Sequence, residues 1–182
     1  TDTAVFRAFD GFVDVNVDLK FSTYFVPSKL TAQDGMDVNL KSFEGIQIEG
    51  NVAATLRGTT GSENLIGNDG ADTIEGREGA DTITDFVSGN DLIDLTSITD
   101  GNLGTYVEAN GAGNNFAAFT TNATGSFSGS AIDIYVEYNL NGSGNTYALV
   151  DEDKNGNVSA GDTLIILSNL SNADGLTSSD FI

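Results

Sequence analysis

The sequence predicts an all-β fold, with a short parallel β-solenoid between two β-rich segments that cap it. Three observations carry this expectation. Residues 58–84 repeat every nine residues, with Gly at fixed places. Segments on either side alternate apolar and polar residues, as half-buried strands do. Acids outnumber bases 27 to 7, leaving a net charge of −20 that a folded chain has to neutralise or disperse.

The first segment, 1–57, reads as a β-rich lead-in. Over 13–19, Val13, Val15, Val17 and Leu19 fall on one face of a strand. A second stretch, 37–48, carries Val38, Leu40, Phe43, Ile46 and Ile48. A short helix near the start is the minor alternative for this region.

The second segment, 58–98, holds the repeat. Units 58–66, 67–75 and 76–84 each carry Gly at positions 1 and 4 (Gly58 and Gly61, Gly67 and Gly70, Gly76 and Gly79). Each has an acid at position 6 (Glu63, Asp72, Asp81) and Leu or Ile at position 8 (Leu65, Ile74, Ile83). With Gly at 22 of 182 positions, chance fills six set places roughly a few times in a million. After one inserted residue, Gly89, Asp91 and Ile93 repeat the end of the pattern as a fourth, irregular unit. Positions 7 to 9 make a very short strand with one inward apolar residue, and positions 1 to 6 make a turn in which Gly relaxes the backbone. Two units form one coil, so turn 58–63 stacks on 76–81 and turn 67–72 on 85–91. That stacking brings Glu63 to Asp81 and Asp72 to Asp91.

The third segment, 99–182, opens with a stretch, 100–129, rich in Gly, Asn, Thr and Ala. There Phe116, Phe119 and Phe127 are scattered anchors. Strands are expected at Ile132–Tyr138, Thr146–Val150 and Thr163–Leu167. Between the last two lies an acidic loop, 151–162. Asp151, Asp153, Asn155, Asn157, Ser159 and Asp162 stand at positions 1, 3, 5, 7, 9 and 12, with Gly156 at 6. That is the ligand spacing of an EF-hand loop, with Asp in place of Glu at the end and strands in place of helices. The tail, about 168–182, is polar apart from Leu170, Leu176, Phe181 and Ile182.

Composition narrows the chemistry. With no His and no Cys, zinc sites, thiol nucleophiles, disulfides and imidazole-based triads are excluded. No catalytic residues are assigned, because the acids are many and no pair stands apart. A charge of −20 argues against nucleic acid and anionic lipid as partners. Apolar runs such as 164–167 are far too short to insert in a membrane. What remains in quantity is oxygen, the ligand of hard cations such as Ca²⁺. Stacked carboxylates repel unless one is protonated or a cation lies between them. The candidate ligands are therefore the side chains of Glu63, Asp69, Asp72, Asp81 and Asp91, with backbone oxygens at Gly58, Gly61, Gly67, Gly70, Gly76, Gly79 and Gly89. The loop adds Asp151, Asp153, Asn155, Asn157 and Asp162. On the order of three to five ions would cancel about 6 to 10 charges.

Units of the form Gly-x-x-Gly-x-Asp-x-Ile resemble the nonapeptides of the repeats-in-toxin (RTX, hemolysin-type calcium-binding) family. The stretch 85–96 resembles the segment after the repeats in serralysin-type C-terminal domains, and the ending over 170–182 is similar to type I export signals. The resemblance implies a calcium-loaded parallel β-roll over 58–98. It also implies export by a type I secretion apparatus from a Gram-negative bacterium, and an extracellular or cell-surface location. The family usually has Gly at position 2, where this chain has Thr59, Asn68 and Arg77. The expected function is a non-catalytic calcium-binding module at the C-terminal end of a larger secreted protein, folding on extracellular Ca²⁺. The alternative is a calcium-dependent surface-layer, adhesin or polysaccharide-binding module.

Overall fold

A nine-residue unit with one inward apolar side chain supplies strands of only three or four residues, too short to stand alone. Such strands persist by pairing with equivalents from other units. The computed structural model describes residues 3–13, 16–18, 32–34, 36–39, 45–49, 53–67, 69–98, 103–129, 132–170 and 176–182. Their elements are β1 (Thr3–Val13), β2 (Asn16–Asp18), β3 (Ala32–Asp34), β4 (Met36–Asn39), β5 (Gly45–Glu49), β6 (Ala54–Arg57) and β7 (Asn64–Ile66). Then come β8 (Thr73–Glu75), β9 (Ala80–Ile83), β10 (Leu92–Ile93), β11 (Leu103–Asn110), the helix α1 (Phe116–Ser126), β12 (Ile132–Tyr138), β13 (Thr146–Val150) and β14 (Thr163–Leu167).

The chain is mostly β, with one α-helix and no closed barrel among the described residues. A nine-stranded sheet runs β11-β12-β13-β14-β9-β7-β5-β1-β3, and a five-stranded sheet runs β10-β8-β6-β4-β2. Successive strands from β6 to β10 alternate between the two sheets. Within each sheet they pair in parallel, Thr55 with Thr73 and Asn64 with Thr82. The last pair is Thr73 with Leu92, one residue longer because of the insertion before the fourth unit.

Position 8 of each unit faces inward. Leu56, Leu65, Ile74, Ile83 and Ile93 are at most 1 % exposed and share one core with Phe86, Leu95 and Phe181. Burying each such side chain stabilises the fold by about 1.5–3 kcal/mol, offset by the entropy of ordering it. The C-terminal hairpin joins this sheet without a break. Strand β14 lies parallel to β9, pairing Leu164 with Ala80 and Leu167 with Ile83, while β12–β13 and β13–β14 are antiparallel.

Period-two alternation gives this hairpin two faces. Ile134, Val136, Ala148, Val150, Ile165 and Leu167 join the first core. Tyr135, Leu149 and Leu164 face the other way, against Phe119, Ala123 and Phe127 of the helical region.

The helix corrects the all-β expectation, and it lies in the stretch 100–129, where the sequence offered only scattered Phe anchors. Asn115 caps α1 by accepting the Ala118 amide at 2.9 Å. Phe119 and Ala123, four apart, form its buried face. Poor helix formers hid it: Thr121, Thr124 and Ser126 each turn a hydroxyl back onto the carbonyl four residues earlier. Buried Glu137 then ties α1 to the sheet, accepting from Asn122 at 2.8 Å and from Asn114 and Tyr135.

Near the start, residues 3–13 form the strand β1 and not the short helix of the alternative, and residues 19–31 lie outside the described residues. The stretch 37–48 spans parts of two strands, β4 and β5, which lie in different sheets. Residues 14, 15 and 19 of the expected strand over 13–19 lie outside the described residues, as does Asn68.

Candidate metal centre

Stacking eighteen residues apart, and nineteen at the fourth unit, puts the position-6 acids in a ladder. The Asp81 Oδ1 accepts the Glu63 amide at 3.0 Å, the Asp72 Oδ1 accepts the Ala54 amide at 2.8 Å, and the Asp91 Oδ1 accepts the Asp72 amide at 2.9 Å. Each carboxylate therefore spends one oxygen on the backbone of the preceding coil. Glu63, Asp72, Asp81 and Asp91 are all buried.

Position-1 glycines make room for these acids. A Cβ on Gly67 would overlap the Asp72 carboxylate, and one on Gly76 would overlap that of Asp81. At Gly58 a Cβ would meet the Gly76 carbonyl oxygen at 2.5 Å and Glu63 Oε2 at 2.9 Å. Position 4 packs turn on turn: Gly79, at φ +115°, lies against the Gly61 carbonyl. Gly70 is buried and its carbonyl accepts from Asn90, whereas Asp69 and Gly89 are exposed. At position 2, Arg77 takes a left-handed φ of +71°, an unusual conformation for a side chain with a Cβ. Its guanidinium holds Glu75 at 3.1 Å, while Arg57 reaches the same carboxylate at 2.8 Å from one coil earlier.

Electrostatics follow from burial. Burial pushes the Asp81 carboxyl up to about 8, against the lowering effect of the Glu63 amide and with help from the Glu63 charge. Asp81 Oδ2 is buried and has no hydrogen-bond partner. Burial also raises Asp91, and raises Asp85, which the Asp91 and Asp69 charges push further. Asp85 was missed as a site residue. Its Oδ1 accepts the Gly67 amide at 3.0 Å, eighteen residues back, and that offset was the signal available in the sequence.

A second group of acids lies in the turn between β13 and β14. Asp151, Asp153 and Asp162 bring carboxylate oxygens within 4.8 Å of one another. Asp151 is fully buried and accepts the Asn155 amide at 3.2 Å and the Gly156 amide at 3.0 Å. Gly156, at φ +74°, makes the turn that the spacing requires. Asn155 donates to Asp153 at 2.6 Å and accepts the Asn157 amide at 2.7 Å, and both asparagines are exposed. Burial raises Asp151, and raises Asp162, which the Asp153 and Asp151 charges push further. Asp162 Oδ1 is buried without a partner.

Both places fit a hard cation. The donors are all oxygen, an oxygen in each is buried without a hydrogen bond, and in the hairpin loop three carboxylates lie close to one another. Residues 57–84 match the family described as the RTX calcium-binding nonapeptide repeat (4 copies). The ion these repeats bind is calcium. The comparison with curated proteins found no match. Among the described residues no helix is long and apolar enough to cross a membrane.

Proposed function

We propose that the chain is a non-catalytic calcium module whose repeats form a β-roll, and that calcium drives it to fold after export from the cell. The observation that carries this reading is Asp81. It is a buried carboxylate in a stacked Gly turn, with one oxygen on the Glu63 amide and the other without a partner. In the repeats, Glu63 and Asp81 form one ligand pair and Asp72 and Asp91 another, each with carbonyls of the neighbouring Gly turns. In the hairpin loop, Asp151, Asp153, Asn155, Asn157 and Asp162 form a further site. Bound calcium supplies the positive charge that lets these carboxylates stay ionised inside the fold. Binding free energy is then folding free energy.

Low calcium leaves an acidic chain that repels itself, the state suited to export by a type I apparatus. Higher calcium outside the cell closes the fold. Leu176 and Phe181 are buried in the folded chain, so the tail can serve as an export signal only before folding. Circular dichroism of the full chain in EDTA and in millimolar calcium tests the reading. The expected result is loss of β signal in chelator and recovery with calcium at concentrations where magnesium fails. A chain equally folded in EDTA would overturn the folding switch.

A further inference from the structure

The ladder of acids raises the question of its last rung. In the repeats, an amide of one turn is taken by a carboxylate of the next coil: Ala54 by Asp72, Glu63 by Asp81, Gly67 by Asp85, Asp72 by Asp91. Turn 85–91 has no further repeat to follow it. Its Gly89 amide is nevertheless held at 2.9 Å, by Asp180 Oδ1, from 91 residues away.

The rest of the tail docks in the same way. Ile182 donates to the Ile93 carbonyl at 2.9 Å and accepts the Leu95 amide at 2.6 Å, and Phe181 bridges Ile93 in parallel. These contacts extend the five-stranded sheet by one rung beyond β10. Asp180 is 2 % exposed. Its Oδ2 accepts the Ser88 hydroxyl at 2.9 Å and the Thr177 amide at 2.6 Å. A capping box with Thr177 sets that carboxylate rigidly on a short 3₁₀ turn, Ser178–Asp180. Phe181 packs in the main core and against the Tyr106 ring, at 5.8 Å between centroids.

We propose that the segment 177–182 is the terminal coil of the repeat stack, delivered from the far end of the sequence. Asp180 is the positioning residue for the Asp72–Asp91 calcium pair. It acts through turn 85–91: Gly89 and Ser88 are pinned by Asp180, while Val87 and Asp72 amides orient the two oxygens of Asp91. Without Asp180 the outer side of that turn loses its anchors, and Asp91 must be ordered at the expense of calcium affinity. This inference rests on the calcium reading above.

The test is a calcium titration of the 182-residue chain, followed residue by residue with ¹⁵N NMR, with and without Asp180→Asn. The expected result is a midpoint about tenfold higher (~1.4 kcal/mol) at the Asp72 and Asp91 amides. The amides of loop 151–162 should move by less than about twofold, which a general loss of stability would not allow. Hydrogen exchange should show Gly89 protected in the unaltered chain and unprotected in the variant. If Asp180→Asn fails to fold in saturating calcium, Ser88→Ala decides. It should raise the same midpoint by about threefold, and a value within about 1.5-fold of the unaltered chain overturns the inference. An unchanged midpoint in a folded Asp180→Asn chain refutes the positioning role and leaves the calcium reading standing. No calcium response in the unaltered chain would overturn both.

Discussion

Asp81→Asn should stabilise the metal-free protein and weaken its calcium binding, two effects of opposite sign from one atom. In the fold the Asp81 carboxyl titrates near 8, against 3.8 as its ordinary value. A raised acid keeps its proton in the folded state after the unfolded chain has released it. Between those two values the folded state binds more protons, so stability falls as pH rises. From 3.8 to pH 7 is about three pH units at roughly 1.4 kcal/mol each, a penalty of about 4 kcal/mol at pH 7. Asparagine carries no titrating proton and still offers an oxygen to the Glu63 amide, so it escapes that penalty. We expect the metal-free variant to gain about 2–4 kcal/mol at pH 7 and almost nothing near pH 4. Urea unfolding in EDTA at several pH values measures the gain; should the metal-free chain be unfolded at pH 7, the same gain appears as folded fraction. With calcium present the sign reverses, because a charged ligand has been lost. A gain of equal size at pH 4 and pH 7 would refute the origin assigned to it, and no gain at pH 7 would refute the burial argument altogether.

Three other perturbations separate the parts of the fold. Gly79→Ala places a side chain at φ +115° against the Gly61 carbonyl and should cost about 1–3 kcal/mol or more. Gly125→Ala, in α1 with no atom within 4 Å of the new methyl, should stabilise by about 0.5–1 kcal/mol; thermal unfolding in calcium distinguishes the two. Glu137→Gln can keep an oxygen for Asn122 and Tyr135, but its NH₂ then faces the Asn114 amide nitrogen, which only donates. It should cost about 2 kcal/mol in urea unfolding. Asp162→Asn should remove one ion from the calcium stoichiometry seen by calorimetry, and leave the repeat amides responding to calcium as before.

Much of the site could be read before any coordinates. The nine-residue period places one aliphatic residue and one acid per unit, so it predicts the inward stripe of Leu65, Ile74 and Ile83 and the meeting of Glu63 with Asp81. Strands β12, β13 and β14 were legible because alternation survives in short segments. Helix α1 was not, since its residues are weak helix formers and its face is set by Phe119 and Ala123 packing on Tyr135 and Leu149. Nor was Asp180, whose partner Gly89 lies 91 residues away, outside the regular pattern; Asp85 was overlooked although its partner Gly67 stands at the regular offset.

The sequence alone determined which ligand chemistry is open to this protein: no imidazole, no thiol, and an excess of carboxylate that requires cations. It also determined the stacking, because a periodic pattern repeats its own contacts at a fixed offset. Only the tertiary structure decided how the stack ends and what joins it. Contacts such as β14 on β9 or Asp180 on Gly89 link residues dozens of positions apart. Such contacts leave no periodic trace, since each occurs once and is selected by the burial of Leu167, Phe181 and their neighbours in one core. The net charge of −20 seen at the outset is thus divided by the fold. Among the described residues, some acids are drawn into the stacked turns and the hairpin loop, others such as Glu137 and Asp180 are buried against hydrogen-bond donors, and a few such as Asp69 stay exposed to water.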